Sequence, residues 1–182
     1  MIRLIDFIAS FLGLLLFSPI MLIVLILGYF DTGAPIFVQE RVGKSKKPFN
    51  LIKFRTMPVH TASVASHLAK DVEITKLGLV LRKTKLDELP QLINVLKGEM
   101  SLVGPRPNLF NQVELIKERD ILDVYNVLPG ITGLAQVNNI DMSEPERLAM
   151  VDKEMIDSLN LANYFKYILQ TIVGKGAGDA VR

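Results

Sequence analysis

The stretch Lys85-Leu86-Asp87-Glu88-Leu89-Pro90-Gln91-Leu92 sets two adjacent carboxylates before a proline and an apolar helix, and the rest of the chain is organised around it. Pro90 suits the first turn of a helix, because the N–H that proline lacks has no partner there. Asp87 and Glu88 then lie at a helix N-terminus, beside unpaired N–H groups and the positive end of the helix dipole. Two interpretations stay open: the pair caps the helix, or it binds a phosphate or a metal–phosphate pair.

A rigid loop, Gly104-Pro105-Arg106-Pro107, follows the apolar helix and a predicted buried strand at residues 100–103. The two prolines restrict the backbone around Arg106, so its guanidinium has little entropy left to lose on binding. A preset guanidinium favours bidentate binding of phosphate or another planar anion. The alternative is a surface turn with an ordinary solvated arginine.

Composition limits the classes of function. The 182 residues correspond to one domain, and 49% of them are hydrophobic, which is high for a soluble protein. The chain has no cysteine, which excludes disulfides, thiolate zinc sites and thiol nucleophiles. The net charge of +2 hides a local excess, because residues 41–55 carry six basic side chains and no acidic one.

An uncharged run from Phe7 to Phe30 is long enough, as a helix, to cross a bilayer core of roughly 30 Å. Pro19 removes one helical hydrogen bond and its ring clashes with the carbonyl of Leu15, so a kink is expected there. Ser18 can hydrogen-bond the backbone that Pro19 frees. A sharp kink returns the helix to the side it entered, with Arg3 and the later basic cluster both at the cytoplasmic face. The residues alone favour a spanning helix over this re-entrant one.

Residues 36–42 and 49–55 predict a β-hairpin, because two apolar and β-branched runs flank a turn containing glycine and proline. Lys53 and Arg55 share one face of the second strand, so they are expected to reach an anion together. The lysines of the turn are interpreted as a solvated tip or as an attraction to anionic lipid. The other predicted elements are a mobile loop at 58–75, helices at 74–85 and 108–127, a solvated acidic helical face at 141–157 and an interfacial helix at 161–173.

Several sequence blocks, in this order, closely resemble the bacterial sugar transferases known as monotopic phosphoglycosyl transferases. The resemblance covers nearly the whole chain and corresponds to the minimal catalytic form. Each block is weak by itself, and the combination is specific. The blocks are Lys53-Phe54-Arg55-Thr56-Met57, residues 86–92, residues 94–98, residues 100–107, Pro129-Gly130-Ile131-Thr132-Gly133 and Gln136-Val137-Asn138.

The resemblance implies transfer of a phosphosugar from a UDP-sugar to polyprenyl (undecaprenyl) phosphate. The products are polyprenyl-diphosphate-sugar and UMP, in the first membrane step of glycan biosynthesis. It also implies that residues 1–30 form a re-entrant helix broken at Ser18-Pro19, which reverses the preference for a spanning helix. We therefore expect an α/β fold with a small sheet and several helices, residues 31–182 forming a catalytic domain on the cytoplasmic face of the bacterial inner membrane. Membrane lipid is an expected partner, and a homodimer is left open.

The family also implies roles for single residues. Asp87 matches the nucleophile, which forms an acyl-phosphate intermediate and so divides the transfer into two steps. A carboxylate that attacks a diphosphate is repelled by the negative charge of the phosphates, and the family uses Mg²⁺ to reduce that repulsion. Asp87 and Glu88 are the expected ligands of this ion. Four basic residues are expected to neutralise diphosphate oxygens or contact the nucleotide, and one late acidic residue is a further substrate-binding candidate. The basic residues are Lys53, Arg55, Arg82 and Arg106, and the acidic residue is Asp152.

The chain departs from the family where Leu134 replaces a common tryptophan and where Asn138-Asn139-Ile140 stands for Asn-Gly-Arg. We place the residues that determine sugar specificity in this later region. The resemblance to the family therefore does not indicate which sugar this chain uses. Two other classes stay open: a non-catalytic membrane scaffold, and a Mg²⁺-dependent hydrolase of lipid or nucleotide diphosphates. Nucleic-acid binding is not expected, because the basic hairpin has no interleaved stacking aromatics beyond Phe49 and Phe54.

Overall fold

The structure, a computed structural model, describes residues 1–61, 74–174 and 176. Over these residues it is a mixed α/β fold, which confirms the predicted class. The described elements are α1 (Ile2–Thr32), β1 (Ile36–Val42), β2 (Pro48–Phe54), α2 (Lys76–Thr84), α3 (Gln91–Lys97), β3 (Ser101–Val103), α4 (Val113–Ile121), β4 (Gly130–Thr132), α5 (Leu134–Val137), α6 (Pro145–Asp157) and α7 (Leu161–Ile172).

Helix α1 is the one helix, within the described ranges, that is long and apolar enough to cross a membrane. Its 31 residues make a rod of about 46 Å. The hydroxyl of Ser18 donates to the carbonyl of Leu15 at 2.8 Å, which is the acceptor that Pro19 leaves without its helical partner. This confirms the predicted role of Ser18. The helix continues through Pro19, and a bend at that point stays a prediction.

One face of α1 packs against the rest of the chain over most of the helix. Asp6, near its start, is buried against β3, and Val24, near its end, packs with Leu81 of α2. Between them Gly13 allows close approach of Leu92, since an added Cβ would lie 3.1 Å from the Leu92 Cδ1 atom. The opposite face is exposed and apolar. Helix α1 is thus a packed part of the fold with one lipophilic face.

Asp6 fastens the start of α1 through a buried polar cluster. Its carboxylate accepts hydrogen bonds from the Tyr164 hydroxyl at 2.6 Å, the Ser101 hydroxyl at 2.9 Å and the Leu102 backbone N–H at 2.9 Å. Burial, together with the hydrogen bond to Asp6, raises the pKa of the Tyr164 phenol. The first helix, strand β3 and helix α7 are therefore joined by one side chain.

Strands β1 and β2 form the predicted hairpin, paired antiparallel with Phe37 opposite Lys53. The second strand begins at Pro48 and ends at Phe54, so Arg55 lies one residue beyond it. A mobile loop was predicted at residues 58–75, and residues 62–73 of that span lie outside the described part of the chain.

Strands β3 and β4 form a short parallel pair, with Val103 opposite Thr132. The pair confirms the buried strand predicted at residues 100–103. Beyond it the two chains stay in contact, because the Gly130 N–H donates to the Pro105 carbonyl at 2.8 Å. A Cβ on Gly130 would lie 2.0 Å from the Gly104 nitrogen, so only glycine permits this approach. The contact holds the loop that carries Arg106.

The helix predicted over residues 108–127 is shorter in the structure, since α-helix there is confined to α4 and a separate 3₁₀ turn covers Val124–Asn126. Residues before it are taken by a local turn, in which the Leu109 N–H donates to the Gln112 side chain at 2.8 Å. After it, Asp123 adopts φ 58 and stops the helix. The buried side chains of α4 are Leu115 and Arg119. Val113, the first residue of α4, is 71% exposed.

Candidate active site

The two adjacent carboxylates lie in a 3₁₀ turn, Leu86–Glu88, between α2 and α3. The turn starts because Lys85 adopts a left-handed conformation, φ 58, which ends α2. Pro90 has a helical φ of −62 and directly precedes α3. The pair is thus one turn upstream of the helix N-terminus at which it was predicted. In this position Asp87 is buried, with 6% of its surface exposed.

Two cations converge on one oxygen of the neighbouring Glu88. The Lys53 ammonium lies 3.4 Å from Glu88 Oε1, and Arg106 Nη2 lies 2.9 Å from the same atom. Lys53 comes from β2 and Arg106 from the loop after β3, so three distant parts of the sequence meet here. All three side chains are largely withdrawn from water, which strengthens their interaction. Two cations that converge on one carboxylate oxygen are also placed to bind a phosphate oxygen.

A further cation, Lys85, belongs to the same group. Burial lowers the pKa of its ammonium, the charge of Glu88 opposes that shift, and the charge of Arg106 adds to it. Lys85 therefore lies within the electrostatic reach of both. Sequence reasoning did not select this residue, although it opens the stretch that carries Asp87.

The other two basic candidates have different partners. Arg82 Nε donates to the Thr56 hydroxyl at 3.0 Å, which ties α2 to the end of β2. Arg55 Nε donates to the Ala34 carbonyl at 2.7 Å. The structure thus gives Arg55 a partner at the start of the hairpin, while Lys53 of the same predicted face contacts Glu88.

The last candidate, Asp152, is fully buried and forms an ion pair with Arg119. Burial raises the pKa of the Asp152 carboxyl, and the Arg119 guanidinium opposes that rise. Sequence reasoning missed Arg119, because it lies in the charged run Lys117-Glu118-Arg119-Asp120, which is typical of a solvated face. One signal was present: Arg119 follows the buried Leu115 by one helical turn.

The donor set around Asp87 restricts how a metal ion can bind. No group of three or more His, Asp or Glu side chains suited to a metal converges within residues 1–61 and 74–174. Mg²⁺ commonly takes one or two carboxylates, with water and substrate phosphate oxygens completing its octahedron. Asp87 and Glu88 together supply the number of carboxylates that this mode of binding uses.

The chain is similar to known bacterial proteins over nearly its whole length. The profile described as bacterial sugar transferase matches residues 1–175. The uncharacterized sugar transferase EpsL of Bacillus subtilis is 38% identical over 171 residues, which are 93% of this chain and 84% of that protein. The UDP-glucose:undecaprenyl-phosphate glucose-1-phosphate transferase of Klebsiella pneumoniae is 44% identical over 143 residues, 75% of this chain and 30% of that protein.

A third relative carries a different sugar in its name. The UDP-N-acetylgalactosamine-undecaprenyl-phosphate N-acetylgalactosaminephosphotransferase of Aeromonas hydrophila is 40% identical over 137 residues, 72% of this chain and 32% of that protein. This chain therefore spans about a third of the length of the Klebsiella and Aeromonas relatives and most of the length of the Bacillus one. The match of the profile to nearly every residue confirms the resemblance found in the motifs: the chain belongs to the bacterial sugar transferase family.

Proposed function

We propose that this chain transfers a phosphosugar from a UDP-sugar to polyprenyl phosphate, giving polyprenyl-diphosphate-sugar and UMP. The observation that carries the proposal is the buried Asp87 beside Glu88, on whose carboxylate Lys53 and Arg106 converge. Relatives named for this reaction support the reaction class. Their names differ in the sugar, so the donor sugar is left open.

In the first step the Asp87 carboxylate attacks the phosphorus that bears the sugar. The bond from that phosphorus to the bridging diphosphate oxygen breaks, and UMP leaves with the electron pair. The product is an acyl phosphate that links Asp87 to the sugar phosphate. Lys53 and Arg106 lie where they can neutralise the non-bridging oxygens as the charge on the leaving phosphate grows.

In the second step a phosphate oxygen of the polyprenyl phosphate attacks the same phosphorus. The bond to the Asp87 oxygen breaks, which regenerates the carboxylate and releases the lipid diphosphate sugar. One anion-binding site thus serves two anionic substrates in turn, and the UDP-sugar and the polyprenyl phosphate need not occupy it together. If water took the place of the lipid phosphate, the chain would be a hydrolase, which is the alternative reaction.

Mg²⁺ bound by Asp87, Glu88 and the diphosphate would supply charge neutralisation and hold the phosphates in line. Glu88, which is paired with Lys53 and Arg106 in this structure, would be the second carboxylate to hold the ion. Arg55 and Arg82 remain proposed contributors to substrate binding, and Asp152, which is fully buried, is proposed to contribute indirectly. The contacts of Arg82 with Thr56 and of Arg55 with Ala34 suggest that both shape the surrounding backbone first.

The packing of α1 supports a helix that enters the membrane and does not cross it. Asp6 near one end and Val24 near the other both contact the same body. A helix perpendicular to the bilayer would touch a domain on one side near one end alone. We propose that the exposed face of α1 contacts membrane lipid and that the catalytic domain lies on the cytoplasmic face of the inner membrane. A homodimer is compatible with this arrangement and is not required by it.

The test is UMP release by detergent-purified protein with Mg²⁺, undecaprenyl phosphate and a panel of UDP-sugars, wild type beside Asp87→Ala. We expect release that depends on the lipid and is abolished in the variant. Release of free sugar phosphate without lipid would indicate the hydrolase. Full release by Asp87→Ala would refute the role of that carboxylate, and no release with any donor would favour the scaffold.

A further inference from the structure

We propose that Arg119 and Asp152 form a buried positioning pair, which sets Arg106 through its backbone carbonyl. The inference rests on the proposed function, because Arg106 is assigned there to the substrate phosphates. It changes the role of Asp152 from a substrate contact to a support of the loop. Asp152 has no exposed surface, so a ligand has no access to it in this fold.

The pair is tightly made. Arg119 Nε and Nη2 lie 3.0 Å and 2.6 Å from the same oxygen, Asp152 Oδ2. Arg119 is 1% exposed. The other oxygen, Asp152 Oδ1, makes no hydrogen bond within the described part of the chain. All hydrogen bonds of the Asp152 carboxylate within the described part of the chain therefore go to the Arg119 guanidinium.

The third nitrogen of that guanidinium reaches the loop. Arg119 Nη1 donates to the Arg106 carbonyl at 2.8 Å and to Asn108 Oδ1 at 2.9 Å. The Tyr125 hydroxyl donates to the same Asn108 oxygen at 3.0 Å. The guanidinium of Arg106, at the other end of the residue, contacts Glu88 at 2.9 Å. An unbroken series of contacts thus runs from Asp152 in α6 to the turn that carries Asp87.

The hydrogen bond from Arg119 acts on a backbone angle, ψ of Arg106, that the prolines restrict only in part. Pro105 and Pro107 lock their own φ, and a residue before proline is biased to extended ψ, but within a broad range. A hydrogen bond to the Arg106 carbonyl reduces the range of ψ that Arg106 can adopt. It therefore also reduces the range of positions open to the Arg106 guanidinium. Displacement of a positioned group by about 1 Å can lower a rate about a hundredfold.

Arg119→Lys is the variant that tests positioning most directly. It keeps a positive charge opposite Asp152, but an ammonium lacks the planar guanidinium that contacts Asp152 and the Arg106 carbonyl simultaneously. We expect kcat for UMP release to fall about tenfold to a hundredfold. The matched control is Leu148→Ala, which removes buried packing from α6 one turn before Asp152 and leaves the pair intact. It is expected to lower the melting temperature at least as much, with kcat within about twofold of wild type.

A double-mutant cycle separates positioning from general destabilisation. If Arg119 acts through Arg106, adding Arg119→Lys to Arg106→Lys lowers kcat little further. Leu148→Ala added to Arg106→Lys should lower kcat only by its own small factor. Independent, multiplying effects of Arg119→Lys and Arg106→Lys would overturn the inference, as would wild-type kcat in Arg119→Lys.

A measurement without substrate keeps the inference separate from the proposed function. Amide hydrogen exchange in a peptide covering residues 104–112 should be faster in Arg119→Lys than in Leu148→Ala at equal distance below the melting temperature. Equal exchange in the two variants would overturn the positioning role even if the transferase reaction is confirmed. Faster exchange in Arg119→Lys, with no transfer by the wild type, would uphold the support of the loop and refute the reaction.

Discussion

Replacement of Asp6 tests whether α1 is built into the fold as described. Asp6→Ala removes the acceptor of three buried donors: the Tyr164 hydroxyl, the Ser101 hydroxyl and the Leu102 N–H. Each donor left without a partner costs about 1–3 kcal/mol. Allowing for some relaxation, the free energy of unfolding should fall by about 3–6 kcal/mol. For a chain of this length that corresponds to a melting temperature lower by roughly 6–24 °C.

The conservative change Asp6→Asn refines the same test. An asparagine oxygen at the Oδ1 position still accepts from Tyr164 and Leu102, and its amide at the Oδ2 position donates to the Ser101 oxygen. Only the charge is lost, so the expected cost is about 1–2 kcal/mol. The control is Asp31→Ala, which removes an exposed carboxylate from the other end of the same helix.

The assay is thermal unfolding in detergent micelles followed by circular dichroism, because the chain has no tryptophan for fluorescence. The order expected, from most to least destabilised, is Asp6→Ala, Asp6→Asn and Asp31→Ala, the last within about 2 °C of wild type. If Asp6→Ala melts at the same temperature as Asp31→Ala, the start of α1 is not held by this cluster and the reasoning is wrong.

Three further outcomes follow from the site. Lys85→Gly should raise stability by about 0.5–1 kcal/mol, because glycine tolerates the left-handed conformation, and should lower the transfer rate, because a cation beside Glu88 is lost. Ser45→Gly, at a similar φ on the hairpin turn, should stabilise without changing transfer. Lys53→Met should lower the transfer rate about tenfold or more, whereas Lys47→Met, at the exposed turn, should leave it unchanged, and equal rates would count against Lys53. EDTA should abolish UMP release, and excess Mg²⁺ should restore it; activity that persists in EDTA contradicts the proposed ion.

Local patterns predicted the elements that depend on neighbouring residues. The apolar and β-branched runs at residues 36–42 and 49–55 and the turn residues between them were sufficient for the hairpin, because strand pairing there is local. The position of Pro19 four residues after Leu15 was sufficient to predict the Ser18 hydrogen bond. The site could be assembled from motifs because Asp87, Glu88 and their cations lie in blocks shared with a known family.

Features made by long-range contacts were not predicted. Arg119 and Asp152 lie in charged segments whose composition is typical of solvated faces, and only their pairing across 33 residues permits burial. Asp6 precedes the uncharged run, and it is buried against Tyr164 of α7, 158 residues away. No pattern among the residues next to Asp6 in the sequence indicates this burial. The predicted helix over residues 108–127 failed because side-chain hydrogen bonds of the loop displaced its first turns, which periodicity does not reveal.

The covalent role of Asp87 can be tested most directly by mass spectrometry of the protein after incubation with Mg²⁺ and an active UDP-sugar in the absence of lipid. We expect stoichiometric UMP, a protein mass increase equal to one phosphosugar, and location of the added mass on the peptide that contains Asp87. Addition of polyprenyl phosphate should then remove the adduct and yield the lipid diphosphate sugar. UMP release that occurs only when both substrates are present, with no adduct after rapid quenching, would contradict the two-step mechanism and indicate direct transfer.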